Sequence, residues 1–221
     1  MKARYIFIFF CMMSIANAQS VFYVAPWGSD SNSGTDTSHS LKTPQAALAK
    51  VTGTSGGYTI YLRGGVYQCT SQVKPPKAGV AGNVNKLWAY PGEKPILDFT
   101  GFSDRGLYIS KDYWHIKGIE VRNCGSNGIC MSSCGYITLE GCVSHDNGLE
   151  GIKVTGSSTS LAHDLLILNC DSYRNYDAAN HGENADGFAA KTGTGSNIVF
   201  RGCRAWYNSD DGWDFYSNST G

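Results

Sequence analysis

Residues 209–214 read Ser-Asp-Asp-Gly-Trp-Asp, so Asp210, Asp211 and Asp214 crowd three carboxylates into six positions. Like charges this close push one another toward protonation unless a cation neutralises them. Oxygen ligands with this much negative charge suit Ca2+, which takes about six to eight oxygens at roughly 2.3–2.6 Å. Zinc fits poorly, because no pair of histidines at ligand spacing accompanies the acids. The plainer alternative is a solvated acidic turn, since Asp and Asn favour bends on their own account. A single Asp pair would favour that alternative; further acids delivered to the same place from elsewhere in the chain would favour the cation.

The elements that could deliver one are written in the sequence as a repeat. Segments 114–123 (WHIKGIEVRN), 136–147 (YITLEGCVSHDN), 165–175 (LLILNCDSYRN) and 198–208 (IVFRGCRAWYN) align on Gly118, Gly141, Asn169 and Gly202, with spacings of 23, 28 and 33 residues. Each leads to a second match, at 127–131, 150–154, 186–190 and 211–215. Within both, apolar residues alternate with the period of two that marks strands: Ile116, Leu139, Ile167 and Phe200 share one column, and Ile129, Ile152, Phe188 and Trp213 another. Parallel strands with a repeat in the twenties predict an all-β solenoid, a right-handed parallel β-helix whose columns stack like on like. A leucine-rich repeat is excluded by the absence of its Leu-x-x-Leu-x-Leu pattern. Trp213 is therefore expected in the core. Cys142, Cys170 and Cys203 are expected as an interior column, while one pair among Cys124, Cys130 and Cys134 could be bridged.

Stacked rungs lie about 4.8 Å apart. The residue before each second-strand glycine runs Asn127, Glu150, Asp186, Asp211. The registry predicts Asp186 beside Asp211 despite their separation in the chain, and Asp214 facing outward in the column of Cys130, Lys153 and Ala189. Four carboxylates, Asp186, Asp210, Asp211 and Asp214, then converge, which favours the Ca2+ site. Lys191 falls on an outward position diagonal to Asp214, and Lys153 two rungs below it; either could contact a substrate carboxylate, and each is more simply a solvated lysine. His181 and Glu183 fall in a long turn that could border the site or be a plain insertion. His145, Tyr173 and Trp206 form an outward column, read as a surface stack with carbohydrate contact possible.

Upstream, residues 22–51 read as a strand, a polar turn and a short helix starting after Thr43-Pro44 that caps the open end of the coil. Residues 59–68 and 86–99 read as the first coil strands. The turn DSNSGTD (30–36) has oxygen-rich spacing but lacks the closing Glu of a calcium loop, so a plain turn is expected. Lys2, Arg4, an apolar stretch and Ala16-Asn17-Ala18 predict a secretory signal peptide over 1–18 rather than a membrane span. The remaining 19–221 form one β-helix domain, with cap and first rungs over about 19–112 and regular rungs over about 113–221. Eighteen basic residues balance eighteen acidic ones without a basic run, which argues against a nucleic-acid surface. The expectation is a secreted monomer with neither nucleic-acid nor membrane partners.

The phrases NADGFAAK (184–191) and RGCRAWYNSDDGWDFY (201–216) resemble the calcium-site signature of polysaccharide lyase family 9, the pectate lyases. That resemblance implies that Asp186, Asp210, Asp211 and Asp214 hold a catalytic Ca2+, that the substrate is polygalacturonate (pectin), and that cleavage is a β-elimination begun by removal of the C5 proton. It also implies a lysine base on a later rung, expected after Gly221, so the chain is expected to be a C-terminally truncated piece, without its last rungs, that binds calcium without turnover. NADG (184–187) with Asp210-Asp211 also resembles polygalacturonase-like hydrolases on the same fold, and a non-catalytic carbohydrate-binding β-helix is the further alternative.

Overall fold

The computed structural model describes residues 20–216; the signal peptide expected over 1–18 lies outside them. Its strands form three parallel sheets. The first holds β1 (Val21–Val24), β2 (Thr59–Leu62), β4 (Asn85–Ala89), β7 (Trp114–Lys117), β10 (Gly135–Glu140), β13 (His163–Leu168) and β16 (Ile198–Arg201). In the second stand β3 (Gly65–Gln68), β5 (Pro95–Asp98), β8 (Glu120–Arg122), β11 (Val143–His145), β14 (Asp171–Tyr173) and β17 (Arg204–Trp206). The third holds β6 (Leu107–Ile109), β9 (Ile129–Ser132), β12 (Ile152–Thr155), β15 (Phe188–Ala190) and β18 (Trp213–Asp214). The chain visits the sheets in turn and each strand pairs with those one coil away, which is a right-handed parallel β-helix.

The register is the one the repeat predicts. Ile116, Leu139, Ile167 and Phe200 are Cα partners along the first sheet, and Ile129, Ile152, Phe188 and Trp213 along the third. Most of these side chains are fully buried, because every second residue of a strand faces the interior and only apolar or hydrogen-bonded groups tolerate it. Trp213 belongs to the interior column and stacks on Phe188 at 4.3 Å, yet it is 37% exposed because it lies on the last described strand.

The interior narrows between the second and third sheets, and the sequence answers with small residues. A Cβ on Gly187 would stand 2.7 Å from the Ala205 Cβ and 2.8 Å from the Gly212 carbonyl oxygen. Gly128 and Gly151 meet the Ser144 and Ser172 hydroxyls in the same way. Close backbone approach therefore requires the glycine that follows Asn127, Glu150 and Asp186.

Helix α1 (Pro44–Ala49) starts where Thr43 accepts a hydrogen bond from the Ala46 N–H. Its buried Ala47 and Leu48 join the core next to β1 and β2. The preceding polar turn spends its carboxylates on protein donors. Asp30 accepts from the Lys42 and Thr43 N–H groups at 2.8 Å each, and Asp36 from Ser38 and His39, so it is a turn and not a calcium loop. Cys124, Cys130 and Cys134 are buried free thiols, not bridged. Cys124 and Cys134 join the interior core before and after β9, whereas Cys130 alternates with the core-facing Ile129 and Met131 on that strand. Cys142, Cys170 and Cys203 form the unbridged column expected. Among the described residues no helix is long and apolar enough to cross a membrane.

Candidate metal and substrate site

Three backbone bonds fix the vertical alignment of the acids. The Gly128 N–H donates to the Glu150 carbonyl (3.2 Å), Gly151 to Asp186 (2.9 Å) and Gly187 to Asp211 (2.9 Å). Asp186 therefore lies directly beneath Asp211, and the Ala189–Asp214 pairing brings Asp214 to the same flank. One carboxylate oxygen from each of Asp186, Asp211 and Asp214 lies within 4.8 Å of the others. Asp186 is fully buried, Asp214 half-buried and Asp211 exposed, so the nest has a closed floor and an open rim.

Asp210 does not join them in this geometry. The long turn reaches over the 209–210 bend, and its Asn184 N–H captures Asp210 Oδ2 at 2.9 Å. The Ser209 hydroxyl donates to the Gly182 carbonyl at 2.6 Å in the same contact. That turn carries the 3-10 segment Ala178–Asn180, capped by Asp177, and leads directly into Asp186. Its exposed His181 and Glu183 have no hydrogen bond or ion pair with the nest among the described residues.

Lys191 provides the nest with a positive charge. Its Nζ lies 2.8 Å from Asp186 Oδ2 and 2.6 Å from Asp214 Oδ2. Among the described residues the ammonium is the group that compensates the buried Asp186 Oδ2. Burial pushes the Asp186 carboxyl above its ordinary value despite Lys191. Burial also opposes ionisation of Asp214, but there the Lys191 contact wins and holds the carboxyl low. For Lys191 itself, burial would lower the pKa and the two aspartates more than reverse it, keeping the amine protonated.

Sequence reasoning left Glu150 out of the site. It is buried, takes a hydrogen bond from Asn127, and its Oε1 lies 2.7 Å from Lys153 Nζ and 3.7 Å from Lys191 Nζ. The signal was there: Glu150 shares the column of Asp186 and Asp211. Lys153 and Lys191, outward on neighbouring rungs, are thus both tied to carboxylates. His145, Tyr173 and Trp206 stack with ring centroids 4.7 and 4.5 Å apart. Tyr173 is sandwiched between the other two rings, and His145 is buried while Trp206 is exposed, which makes this ladder a structural feature.

The donor set fits a hard divalent cation. All ligand atoms are carboxylate oxygens from two rungs, and a side-chain ammonium already stands as a cation against two of them. Several known proteins resemble this chain. A pectate lyase L of Paenibacillus polymyxa (strain SC2) is 40% identical over 208 residues, covering 89% of this chain and 45% of that protein. The crystal structure of pectate lyase Pel9A superposes with a TM-score of 0.78 at 32% identity, over 90% of this chain and 50% of that one. A rhamnogalacturonan lyase superposes with a TM-score of 0.75 at 26% identity, over 88% and 53%. The chain spans about half the length of these relatives. Residues 22–221 match the family model described as "Pel9A-like, right handed beta helix region", and the chain belongs to that family.

Proposed function

We propose that the full-length protein is a secreted, calcium-dependent pectate lyase that cleaves polygalacturonate by β-elimination. The observation that carries this reading is the meeting of buried Asp186 from one rung with Asp211 and Asp214 from the next, in a family whose compared members include pectate lyases. Asp186, Asp211 and Asp214 would hold the cation, with Asp210 joining on release from Asn184. When bound, Ca2+ would neutralise the uronate carboxylate and so make the neighbouring C5 proton more acidic. The closed floor of the nest fixes the ligands from below, and the exposed Asp211 rim leaves the outer side to the polymer. Lys191 and Lys153 line the outward face on which a chain of uronates would lie, and their ammonium groups match its carboxylates. Neither suits the role of base, because each is paired with a carboxylate and Lys191 is held protonated. The base in this proposal is a lysine beyond Gly221, for which the greater length of the relatives leaves room.

A polygalacturonase-like hydrolysis is disfavoured because Asp214 converges with Asp186 and Asp211, a third acid that an acid–base carboxylate pair does not need. The test is to incubate the full-length protein with polygalacturonate and, separately, with rhamnogalacturonan, following the ultraviolet absorbance of an unsaturated uronide end. The expected result is absorbance from polygalacturonate, abolished by chelator and restored by Ca2+. Asp211→Asn should weaken calcium binding by at least about 10-fold, the lower bound for residues one step further from a metal. New reducing ends without that absorbance, or activity indifferent to chelator, would overturn the proposal. No cleavage of any kind leaves only the carbohydrate-binding alternative.

A further inference from the structure

Lys191 and Glu150 have a relation to the nest that the reaction itself does not require. Lys191 Nζ stands 2.8 and 2.6 Å from one oxygen each of Asp186 and Asp214. Those are two of the three side chains a divalent cation would use, and such a cation sits at roughly 2.3–2.6 Å from its oxygens. Two cations bound to the same pair of oxygens would be only a few ångströms apart, where Coulomb repulsion in a partly buried site is severe. The ammonium must move when the metal arrives. Glu150 offers it a destination. Its Oε1 is 3.7 Å from Lys191 Nζ, at the edge of ion-pair range, on a side chain only 3% exposed and already held by Asn127 and Lys153. A shift of about one ångström converts this long contact into a full ion pair. Asp211, exposed and free of the ammonium, is the natural first ligand for an incoming ion.

We propose that Lys191 is a built-in counter-cation of the carboxylate nest and that Glu150 receives its ammonium when a divalent cation binds there. Without metal, Lys191 stands as the counter-charge to Asp186 and Asp214 and ties the two rungs together. On metal binding, transfer to Glu150 keeps the charge compensated, and the affinity measured is the difference between the two pairings. Lys191 and Glu150 are therefore positioning residues that set how tightly the site holds calcium. This rests on the calcium reading above.

The test uses the full-length protein, titrated calorimetrically with CaCl2 after chelator treatment. Lys191→Met keeps the aliphatic stem and removes the competitor; calcium affinity should rise about tenfold or more. Its metal-free melting temperature should fall, while the calcium-loaded one stays close to that of the unsubstituted protein. Glu150→Gln should weaken binding several-fold in the unsubstituted background. In the Lys191→Met background it should do much less, because there is no ammonium left to receive. That loss of coupling separates a receiver from a distant negative charge that merely attracts calcium, which would act equally in both backgrounds. Lys191→Gln, read in the same way, serves if the Met variant does not fold without metal. Unchanged or weaker affinity on replacing Lys191 overturns the proposal while calcium binding by the unsubstituted protein stands. No calcium binding by that protein overturns the calcium reading, and this proposal with it.

Discussion

At the scale of single residues, Asp98 is a buried acid kept ionised by donors from its own turn and from the next rung. Asp98, on the outer side of β5, is 6% exposed. Burial alone would raise its pKa, but Thr100, Asn123 and Arg122 donate to it and bring it from 3.8 down to about 2. Its folded-state value lies below the unfolded one, so its stabilisation is complete above pH 3.8 and disappears as pH falls toward about 2. The size is ~2 kcal/mol at neutral pH, since each tenfold gain in acidity is worth about 1.4 kcal/mol. Urea unfolding should find Asp98→Asn less stable by about that much near neutrality, with the gap closing between about pH 4 and about pH 2. A gap independent of pH would mean that packing, not charge, holds this corner. The carboxylates of the nest were legible from their column alone, because registry follows from the repeat. Which of them Lys191 engages was not, since a flexible four-carbon stem can satisfy several acids and the pattern does not choose among them. That Asp210 is held apart from the other three was not legible for a related reason: its partner, the Asn184 N–H, comes from a turn with no counterpart in the other repeats.

At the scale of the strand and turn, the recurring glycine on which the repeats align has a backbone cause. Gly118, Gly141, Asn169 and Gly202 all adopt left-handed conformations, with φ of 70°, 59°, 52° and 65°. Only glycine is free there, and asparagine is the most tolerated substitute, which is why one rung carries Asn. A second left-handed column, Asn123, Asp146, Arg174 and Tyr207, has φ between 53° and 59° but no common residue type. Sequence could not reveal it, because the next residue supplies the restraint. Asn147, Asn175 and Asn208 stack in a ladder, the first two buried, with Asn147 Nδ2 donating to Asn175 Oδ1 and Asn175 Nδ2 to Asn208 Oδ1, each at 2.8 Å. Their side chains also accept from the preceding rung's N–H groups at 3.1–3.3 Å, holding the corner whatever precedes it. The first column can be tested without disturbing packing, since a Cβ at Gly141 would meet nothing within 4 Å. Gly141→Ala should cost about 1–2 kcal/mol in chemical unfolding, all of it from the backbone. Asn169→Gly should be close to neutral, relieving strain in the fold while loosening the unfolded chain. Equal and negligible effects of both would remove the backbone explanation for the repeat.

At the scale of the whole molecule, the coil is close to one-dimensional: strands pair only with the rungs immediately before and after. Stability in such a stack is approximately a sum of nearest-neighbour terms, so a local contact strengthens the rungs it joins and little else. Among the described residues, β15 and β18 are joined by two register pairs, Phe188 with Trp213 and Ala189 with Asp214. A cation shared by Asp186 on one side and Asp211 and Asp214 on the other would clamp this interface. Hydrogen exchange reads the effect directly, because the Gly187 and Phe188 N–H groups bond across it to the Asp211 and Gly212 carbonyls at 2.9 and 3.0 Å. Earlier in the coil, the Leu107 and Ile129 N–H groups bond to Gly128 and Gly151 in the same manner and serve as internal controls. Without calcium, the Gly187 and Phe188 amides should exchange faster than the controls. At free calcium of about 100 times the dissociation constant they should slow by up to about 100-fold, the protection that mass action permits, while the controls hold steady. Uniform slowing along the coil would mean that the molecule responds as one cooperative block. No slowing at Gly187 would mean that the two rungs do not share an ion.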